Sequence, residues 1–124
     1  MNIHQWVDEF PAAITVCDSK GVLLAMNEKA VSTFESDGGA ALIGTNLLDC
    51  HPEPSRSQVV QMLKTGLPNV YTIQKGGVKK LIYQSPWFIG GNYAGFVELS
   101  LPIPEQMPHF NRDLPPSPQQ KVTG

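Results

Sequence analysis

The chain has 124 residues and a formal net charge of −2, and 16% of its residues are charged. The length fits a single domain, and the weak negative charge excludes the basic field that nucleic-acid binding normally needs. The apolar runs are much shorter than the roughly 20 residues of a membrane-spanning helix, and the first residues lack the pattern of a signal peptide. We therefore expect a cytoplasmic domain that contacts neither nucleic acid nor membrane.

The beginning of the sequence predicts a short helix, a hairpin and a second helix. Apolar residues recur at helical spacing over residues 3–10, and Pro11 follows them. Residues 12–18 and 22–26 are rich in strand formers and flank a turn sequence, which predicts a hairpin. Asn27 comes next, and its side-chain oxygen is suited to cap a helix.

The middle of the chain predicts the longest helix. Ser55 and Gln58 match a capping box, with Ser at the cap and Gln three residues later. An apolar stripe follows. Gly66 stands where a helix commonly ends in the left-handed conformation, so we expect a helix over residues 55–66.

Three strand-like runs follow, over residues 69–74, 78–87 and 93–101, and glycine pairs separate them. Alternation puts Leu81, Tyr83 and Trp87 on one face of the middle strand, which we expect to face the core. Pro86 removes a hydrogen-bond donor, so we expect a bulge near it. Strand-rich ends around a helical middle indicate an α+β fold, with helices packed on one face of an antiparallel sheet.

The C-terminal segment is rich in proline and predicts an extended, disordered tail over residues 102–124. The folded domain then spans residues 1–101, with residues 1–10 as a flanking helix. Trp6, Val7 and Phe10 form an apolar stripe on this helix. It either covers the sheet or pairs with a second copy of the chain.

Several local motifs resemble the PAS family in their order and spacing over about residues 8–101. These motifs are Asp18-x-x-Gly21, the helix-opening Asn27, and Leu42-Ile43-Gly44-x-Asn46-Leu47-Leu48, followed by the three terminal strands. The resemblance implies a PAS fold with a five-stranded antiparallel sheet and helices on one face. It further implies a sensory module that holds a small ligand, haem or flavin between sheet and helices, or that binds a partner protein alone.

A narrower resemblance lies in Asp49-Cys50-His51-Pro52 before a Ser-led helix. It is similar to the PAS-like domains attached to some bacterial hemerythrin-type and sensor proteins, some of which hold haem. The resemblance implies His51 as an iron ligand, and the alternative is a solvent-exposed or loop-capping histidine.

Cys50 has a similar place to the chromophore-bearing Cys of the photoactive yellow protein family. That family's Tyr and Glu partners correspond here to Met26 and Ala30, which argues against a chromophore. The other interpretations of Cys50 are a thiolate ligand, a redox-sensitive thiol, or a small half-buried side chain.

An apolar set fills a core by default and lines a ligand cavity only where its side chains leave room. The candidate cofactor-binding residues are His51, Cys50, Met26, Leu63, Tyr71, Tyr83 and Trp87. Tyr83 and Trp87 carry polar atoms that either orient a ligand or satisfy backbone carbonyls.

Three functional hypotheses remain open. The first is a sensor that binds a small molecule or haem and signals through a partner protein or a homodimer. The second is a ligand-free module for dimerisation or protein interaction. The third is a small enzyme. The sequence shows no convincing acid–base constellation, so we expect the chain not to be an enzyme.

Overall fold

The computed structural model describes residues 5–113. One five-stranded antiparallel sheet in the order β2-β1-β5-β4-β3 carries the helices. This arrangement confirms the α+β fold and the five-stranded sheet expected from the sequence. The elements are α1 (Gln5–Asp8), β1 (Ala13–Asp18), β2 (Leu23–Met26), α2 (Glu28–Thr33), α3 (Leu47–Cys50), α4 (Ser55–Thr65), β3 (Asn69–Lys75), β4 (Val78–Ile89) and β5 (Asn92–Ile103).

The predicted first hairpin is present, and its turn is closed by one carboxylate. Asp18 Oδ1 accepts hydrogen bonds from the backbone N–H groups of Lys20 and Val22, each at 2.9 Å. Gly21 completes the turn at φ +88°, where a side chain would be strained. The local turn chemistry therefore fixes how β1 and β2 pair.

Two 3₁₀ turns, at Glu35–Asp37 and Gly39–Leu42, connect α2 to α3. Gly38 and Gly39, which both adopt positive φ, lie where the first turn ends and the second begins. Asn46 then begins α3 by accepting a hydrogen bond from Leu48 N–H at 2.9 Å, while its amide donates to the Lys20 carbonyl at 3.0 Å. α3 is thereby held against the β1–β2 turn.

The long helix α4 forms as predicted, but its start differs from the capping box. Ser55 is the first helical residue, and Pro54 occupies the cap position without a side-chain hydrogen bond. The Gln58 N–H, which Ser55 would have capped, already donates to the Pro54 carbonyl at 3.4 Å. The end is as expected, because Gly66 adopts φ +65° and donates to Met62 O at 2.9 Å.

The core lies between the sheet and α4. Its buried cluster consists of Cys17, Leu23, Leu63 and Phe96, with partly buried side chains from α3 and α4 packed around it. The sheet contributes the cluster through alternate residues, since Cys17 pairs with Phe96 across β1 and β5. This pairing defines an inner face of the sheet, which bears the helices, and an outer face.

The expected core face of β4 is wrong. Ile82 is buried, with 6% of its surface exposed, whereas Tyr83 is 41% exposed. On β5, alternation from the inward Phe96 puts Ser100 on the inner face as well. Ile82 pairs with Ser100 and therefore belongs to the same face. The alternation itself is as predicted, but Leu81 and Tyr83 lie on the outer face. The inner face of the sheet carries polar as well as apolar residues, so hydrophobicity does not identify it.

The last strand runs two residues further than predicted. β5 ends at Ile103, and Pro102 pairs with Lys80 at the edge of the ladder. Residues 104–113 form neither helix nor strand. The expectations for residues 1–4 and 114–124 lie outside the described residues, so the domain limits and the tail remain predictions. Within residues 5–113, no helix is both long and apolar enough to cross a membrane.

Candidate functional site

A cavity of about 610 Å³ lies between the inner face of the sheet and the segment that carries α2 and α3. Its volume falls within the roughly 300–1,000 Å³ that small-molecule and cofactor sites occupy. The inner face provides its floor through alternate residues of β1, β3, β4 and β5. The apolar lining residues are Ala13, Leu23, Met26, Phe34, Leu42, Leu47, Ile73 and Ile82, and the polar or charged ones are Thr15, Thr33, Asp37, Cys50, His51, Tyr71, Lys75, Lys80, Glu98 and Ser100.

A second cavity of about 80 Å³ extends this space toward α4. Val59, Met62, Cys17 and Phe96 line it, and it shares lining residues with the larger cavity, among them His51 and Glu98. The two cavities are therefore neighbouring parts of one site, with a mainly apolar inner end.

His51 follows α3 and lines both cavities. Its Nδ1 lies 2.6 Å from the Leu47 carbonyl oxygen. A carbonyl can only accept, so Nδ1 carries the proton in this hydrogen bond. The interaction fixes the ring orientation. In the neutral ring it leaves Nε2 as the nitrogen that accepts a hydrogen bond or coordinates a metal.

Three more of the predicted site residues line the larger cavity, namely Cys50, Met26 and Tyr71. Cys50 ends α3 and is exposed, so it is a free thiol at the cavity boundary. Burial, with a smaller effect from the Glu98 carboxylate, raises the pKa of the Tyr71 phenol. Tyr71 is therefore a neutral hydrogen-bonding group at physiological pH.

The other three predicted site residues line neither cavity. Leu63 packs into the buried cluster on α4. Tyr83 lies on the outer face, because the register puts its neighbour Ile82 on the inner one. Trp87 uses its indole N–H to bond the Cys17 carbonyl at 3.0 Å, which is the structural alternative that the sequence left open. The structure therefore places these three residues outside the lining of both cavities.

Sequence reasoning missed a polar row on the inner face of the sheet, of which Gln84 and Glu98 line the smaller cavity. Asn69 Nδ2 donates to Gln84 Oε1 at 3.0 Å, and Gln84 Nε2 donates to Glu98 Oε1 at 2.8 Å. Asn69 pairs with Gln84, and Gln84 pairs with Glu98. Thr15 pairs with Glu98 on its other side, so the four residues form one row across β3, β4, β5 and β1. Polar residues at alternate positions inside apolar strands were the available signal.

Cys17 lies beside this row and is 3% exposed. Burial raises the pKa of its thiol above the ordinary value, and the neighbouring Asp18 and Glu98 charges add to the increase, while a backbone hydrogen bond with Phe96 opposes it. The thiol therefore stays protonated and poorly nucleophilic at neutral pH.

Among residues 5–113, no group of three or more His, Cys, Asp and Glu side chains is arranged to hold a metal ion. Any metal at this site would have to bring most of its own ligands, as a porphyrin does. His51 is the imidazole that the cavity lining offers.

No protein-family model matches the chain. No curated protein sequence matches it significantly either. Solved structures do resemble it, and the three described next share 14–20% sequence identity with it, so these comparisons concern the fold.

One similar structure is the PAS domain of BvgS from Bordetella pertussis, with a TM-score of 0.56 and 20% identity over 81% of this chain and 82% of that one. A second is the PAS domain of an HTR-like protein from Haloarcula marismortui, with a TM-score of 0.56 and 14% identity over 82% and 88%. A third is the Aer2 receptor from Vibrio cholerae, described as a dual PAS-heme oxygen sensor, with a TM-score of 0.54 and 16% identity over 75% and 95%. Together with the strand order and the helix-side cavity, these similarities show that the chain has the PAS fold.

Proposed function

We propose that this chain is a sensory PAS domain that binds a small molecule in the cavity and signals through a partner protein or a second copy of itself. The 610 Å³ cavity carries this proposal, because such a space is large for a domain whose buried core is small. The similar structures include receptor and histidine-kinase sensor regions, which supports a signalling role.

The same strands form the cavity floor and the outer face, which gives the signal a route. In β4, Ile82 points toward the cavity, and its neighbours Leu81 and Tyr83 belong to the outer face. A ligand that binds one arrangement of the floor better than another would shift the population of outer-face arrangements. A protein bound to the outer face would then respond to the ligand.

Neighbouring residues of β3 provide a matched test of cavity occupancy. Ile73 lines the cavity, while Thr72 belongs to the outer face by alternation. The purified chain is incubated with a small-molecule cell extract and analysed by native mass spectrometry. We expect the wild type and Thr72→Trp to retain a bound species that Ile73→Trp loses. The same species on all three proteins, or none on any, would refute ligand binding in this cavity.

Haem is one candidate ligand that a specific observation favours. The His51 Nδ1–H bond to the Leu47 carbonyl leaves Nε2 as the nitrogen that would hold the iron, and apolar side chains such as Leu47, Leu42 and Phe34 line the same cavity. Lys75 and Lys80 are the cations in the lining that would pair with the propionates of the group. Bound haem would supply an iron that takes a diatomic gas, and the protein would supply the imidazole and the cavity.

An absorption spectrum tests the haem version directly. The chain is reconstituted with haemin and compared with His51→Ala and His109→Ala, because His109 is exposed and lines neither cavity. We expect a Soret band in the wild type and in His109→Ala, and its loss in His51→Ala. Equal spectra for all three would show that His51 is not the ligand, whereas a colourless wild type would exclude haem and leave other small molecules.

A second candidate function is a ligand-free association module. Trp6 and Phe10 are 56% and 40% exposed and stack edge to face at 6.0 Å, which leaves an apolar patch on α1 and the residues after it. Sedimentation equilibrium would show association that weakens in Trp6→Ala but persists in Phe88→Ala, a similarly exposed aromatic residue of β4. A wild type that stays monomeric at high concentration would exclude this function.

A further inference from the structure

The hydrogen bonds of the polar row Asn69–Gln84–Glu98 on the inner face of the sheet have a direction. A carboxylate only accepts hydrogen bonds, so Gln84 must present its NH₂ group to Glu98 and its oxygen to the NH₂ group of Asn69. The distances of 3.0 Å and 2.8 Å agree with this orientation. Every amide in the row therefore points its donor toward Glu98, and the row ends on a negative charge that lines both cavities.

Glu98 retains acceptor capacity that the described hydrogen bonds do not use. The one bond described for its carboxylate is the donation from Gln84 to Oε1. A carboxylate has about four lone-pair positions, so Oε2 is available to a further donor. His51 lines the same two cavities, and its Nε2 is an acceptor in the tautomer fixed by Leu47. Glu98 and His51 Nε2 thus both present acceptors to the inner site, and the Thr15 hydroxyl, which donates or accepts, lines the same two cavities.

The cations of the cavity lie too far along the sheet to neutralise Glu98. Lys80 and Gln84 are four residues apart on β4, which corresponds to about 13 Å along the strand. Gln84 is the residue that pairs with Glu98, and Lys75 lies beyond Lys80, next to the β3–β4 turn. Ile82 occupies the intervening floor position. Along the sheet, the lining therefore runs from the Glu98 carboxylate past Ile82 to the cations Lys80 and Lys75, and Asp37 lines the cavity from the 3₁₀ turn that follows α2.

We infer that the ligand of this cavity is an apolar or aromatic molecule that carries a cationic N–H donor group, an amine or amidine, bound to Glu98. The apolar body lies along Ile82, Met26 and Phe34, and the donor completes the row that begins at Asn69. This inference rests on the proposed function, because it names the ligand class of the same cavity. Haem offers Glu98 no cationic donor, so this ligand class is an alternative to haem.

Three probes of similar size and different head group test the ligand class on the wild-type protein. Phenylbutylamine, phenylbutyrate and phenylbutanol are titrated by calorimetry, and the Gln84 side-chain NH₂ signals are followed by NMR. We expect the amine to bind about tenfold more tightly than the other two, as for one hydrogen bond to a charged group, and to shift the Gln84 signals. Equal or tighter binding of the acid or the alcohol would overturn the inference and leave ligand binding intact.

A variant pair then assigns the preference to one carboxylate. Glu98→Gln keeps an acceptor for Gln84 but removes the charge, so the preference for the amine should disappear. Glu105→Gln is the control, because Glu105 is exposed and lines neither cavity. A preference that survives in Glu98→Gln would overturn the inference. If none of the probes binds the wild type, the inference fails, and the cell-extract experiment decides separately whether the cavity binds any ligand.

Discussion

Asn27 pairs with Ile14 as though the strand β2 continued for one more residue. The Asn27 N–H donates to the Ile14 carbonyl at 3.1 Å, and the Asn27 side-chain Oδ1 accepts from the Ile14 N–H at 2.9 Å. The same oxygen accepts from the Ala30 N–H at 3.0 Å, which caps α2. One side chain thus ends a strand and begins a helix.

The other half of the Asn27 amide holds the N-terminal segment. Its Nδ2 donates to the carbonyl oxygens of Ala12 at 2.8 Å and Val7 at 3.0 Å. Asn27 is 4% exposed, so removing the side chain would leave several buried backbone groups without partners.

Asn27→Ala is therefore expected to lower the free energy of unfolding by about 2–4 kcal/mol. Urea denaturation followed by circular dichroism measures the change. Asn27→Asp keeps the acceptor but sets carboxylate oxygen against the Ala12 and Val7 carbonyls, so it should also destabilise. Asn111→Ala is the control, because within residues 5–113 this exposed residue has one described hydrogen bond, which it accepts from Asp113 N–H, and the substitution should change stability by less than about 0.5 kcal/mol. A loss for Asn27→Ala as small as that of the control would contradict this account.

Much of the fold could be predicted from short sequence signals that act within a few residues. Asn27 at a helix start and Gly66 at a helix end behave as their backbone chemistry requires. The predicted capping box at Ser55 is absent, because the Gln58 N–H donates to the Pro54 carbonyl and not to the Ser55 side chain. Local patterns therefore gave the elements but not the details of their ends.

The candidate site was harder to predict, because it depends on which face of a strand meets the helices. Leu81 and Tyr83 look like core residues by hydrophobicity, yet Ile82 is the buried one. Glu98 and Gln84 look like solvent-facing residues, yet they face a cavity. Alternation gives two faces and does not say which one is inward when the inward face is itself polar.

Gly95 permits the close approach of β5 to β1. It adopts φ +148°, and a Cβ at this position would collide with the Cys17 carbonyl oxygen. That oxygen already accepts the indole N–H of Trp87 at 3.0 Å, so it cannot move freely.

We expect Gly95→Ala to destabilise the chain by more than about 3 kcal/mol, since both the clash and the backbone conformation oppose a side chain. Gly76→Ala is the matched control, because Gly76 also has positive φ but its Cβ would meet open space. The control should lose only about 1–2 kcal/mol. Thermal or urea unfolding compares the two, and similar losses would show that the contact with Cys17 is unimportant.

Leu63 and Val60 test which face of α4 is inward. Leu63 is 8% exposed and belongs to the buried cluster, whereas Val60 is 43% exposed. Leu63→Ala should lower the unfolding free energy by about 2–4 kcal/mol through lost burial and a residual cavity. Val60→Ala should change it by less than about 1 kcal/mol, because alanine also favours the helix. Equal effects would mean that α4 is rotated relative to the sheet.

The buried Cys17 thiol makes stability fall at alkaline pH. Burial raises its pKa above the ordinary value of about 9, so the folded state holds the proton more tightly than the unfolded state does. The stabilisation is complete below the unfolded pKa and is lost as the pH rises through the folded pKa. Tyr71 and Tyr93, whose pKa values burial also raises, act in the same direction at higher pH.

Urea unfolding at pH values between about 8 and 9.5 isolates the Cys17 contribution, since the tyrosines titrate above this range. The wild type should lose stability across the interval, and Cys17→Ala should lose less, although the variant begins less stable because of the missing side chain. Cys50→Ala should keep the wild-type slope, because Cys50 is exposed. A Cys17→Ala protein whose stability falls as steeply as the wild type would show that another group titrates. Alkylation gives an independent check: in the folded protein iodoacetamide should modify Cys50 but reach Cys17 only after urea is added.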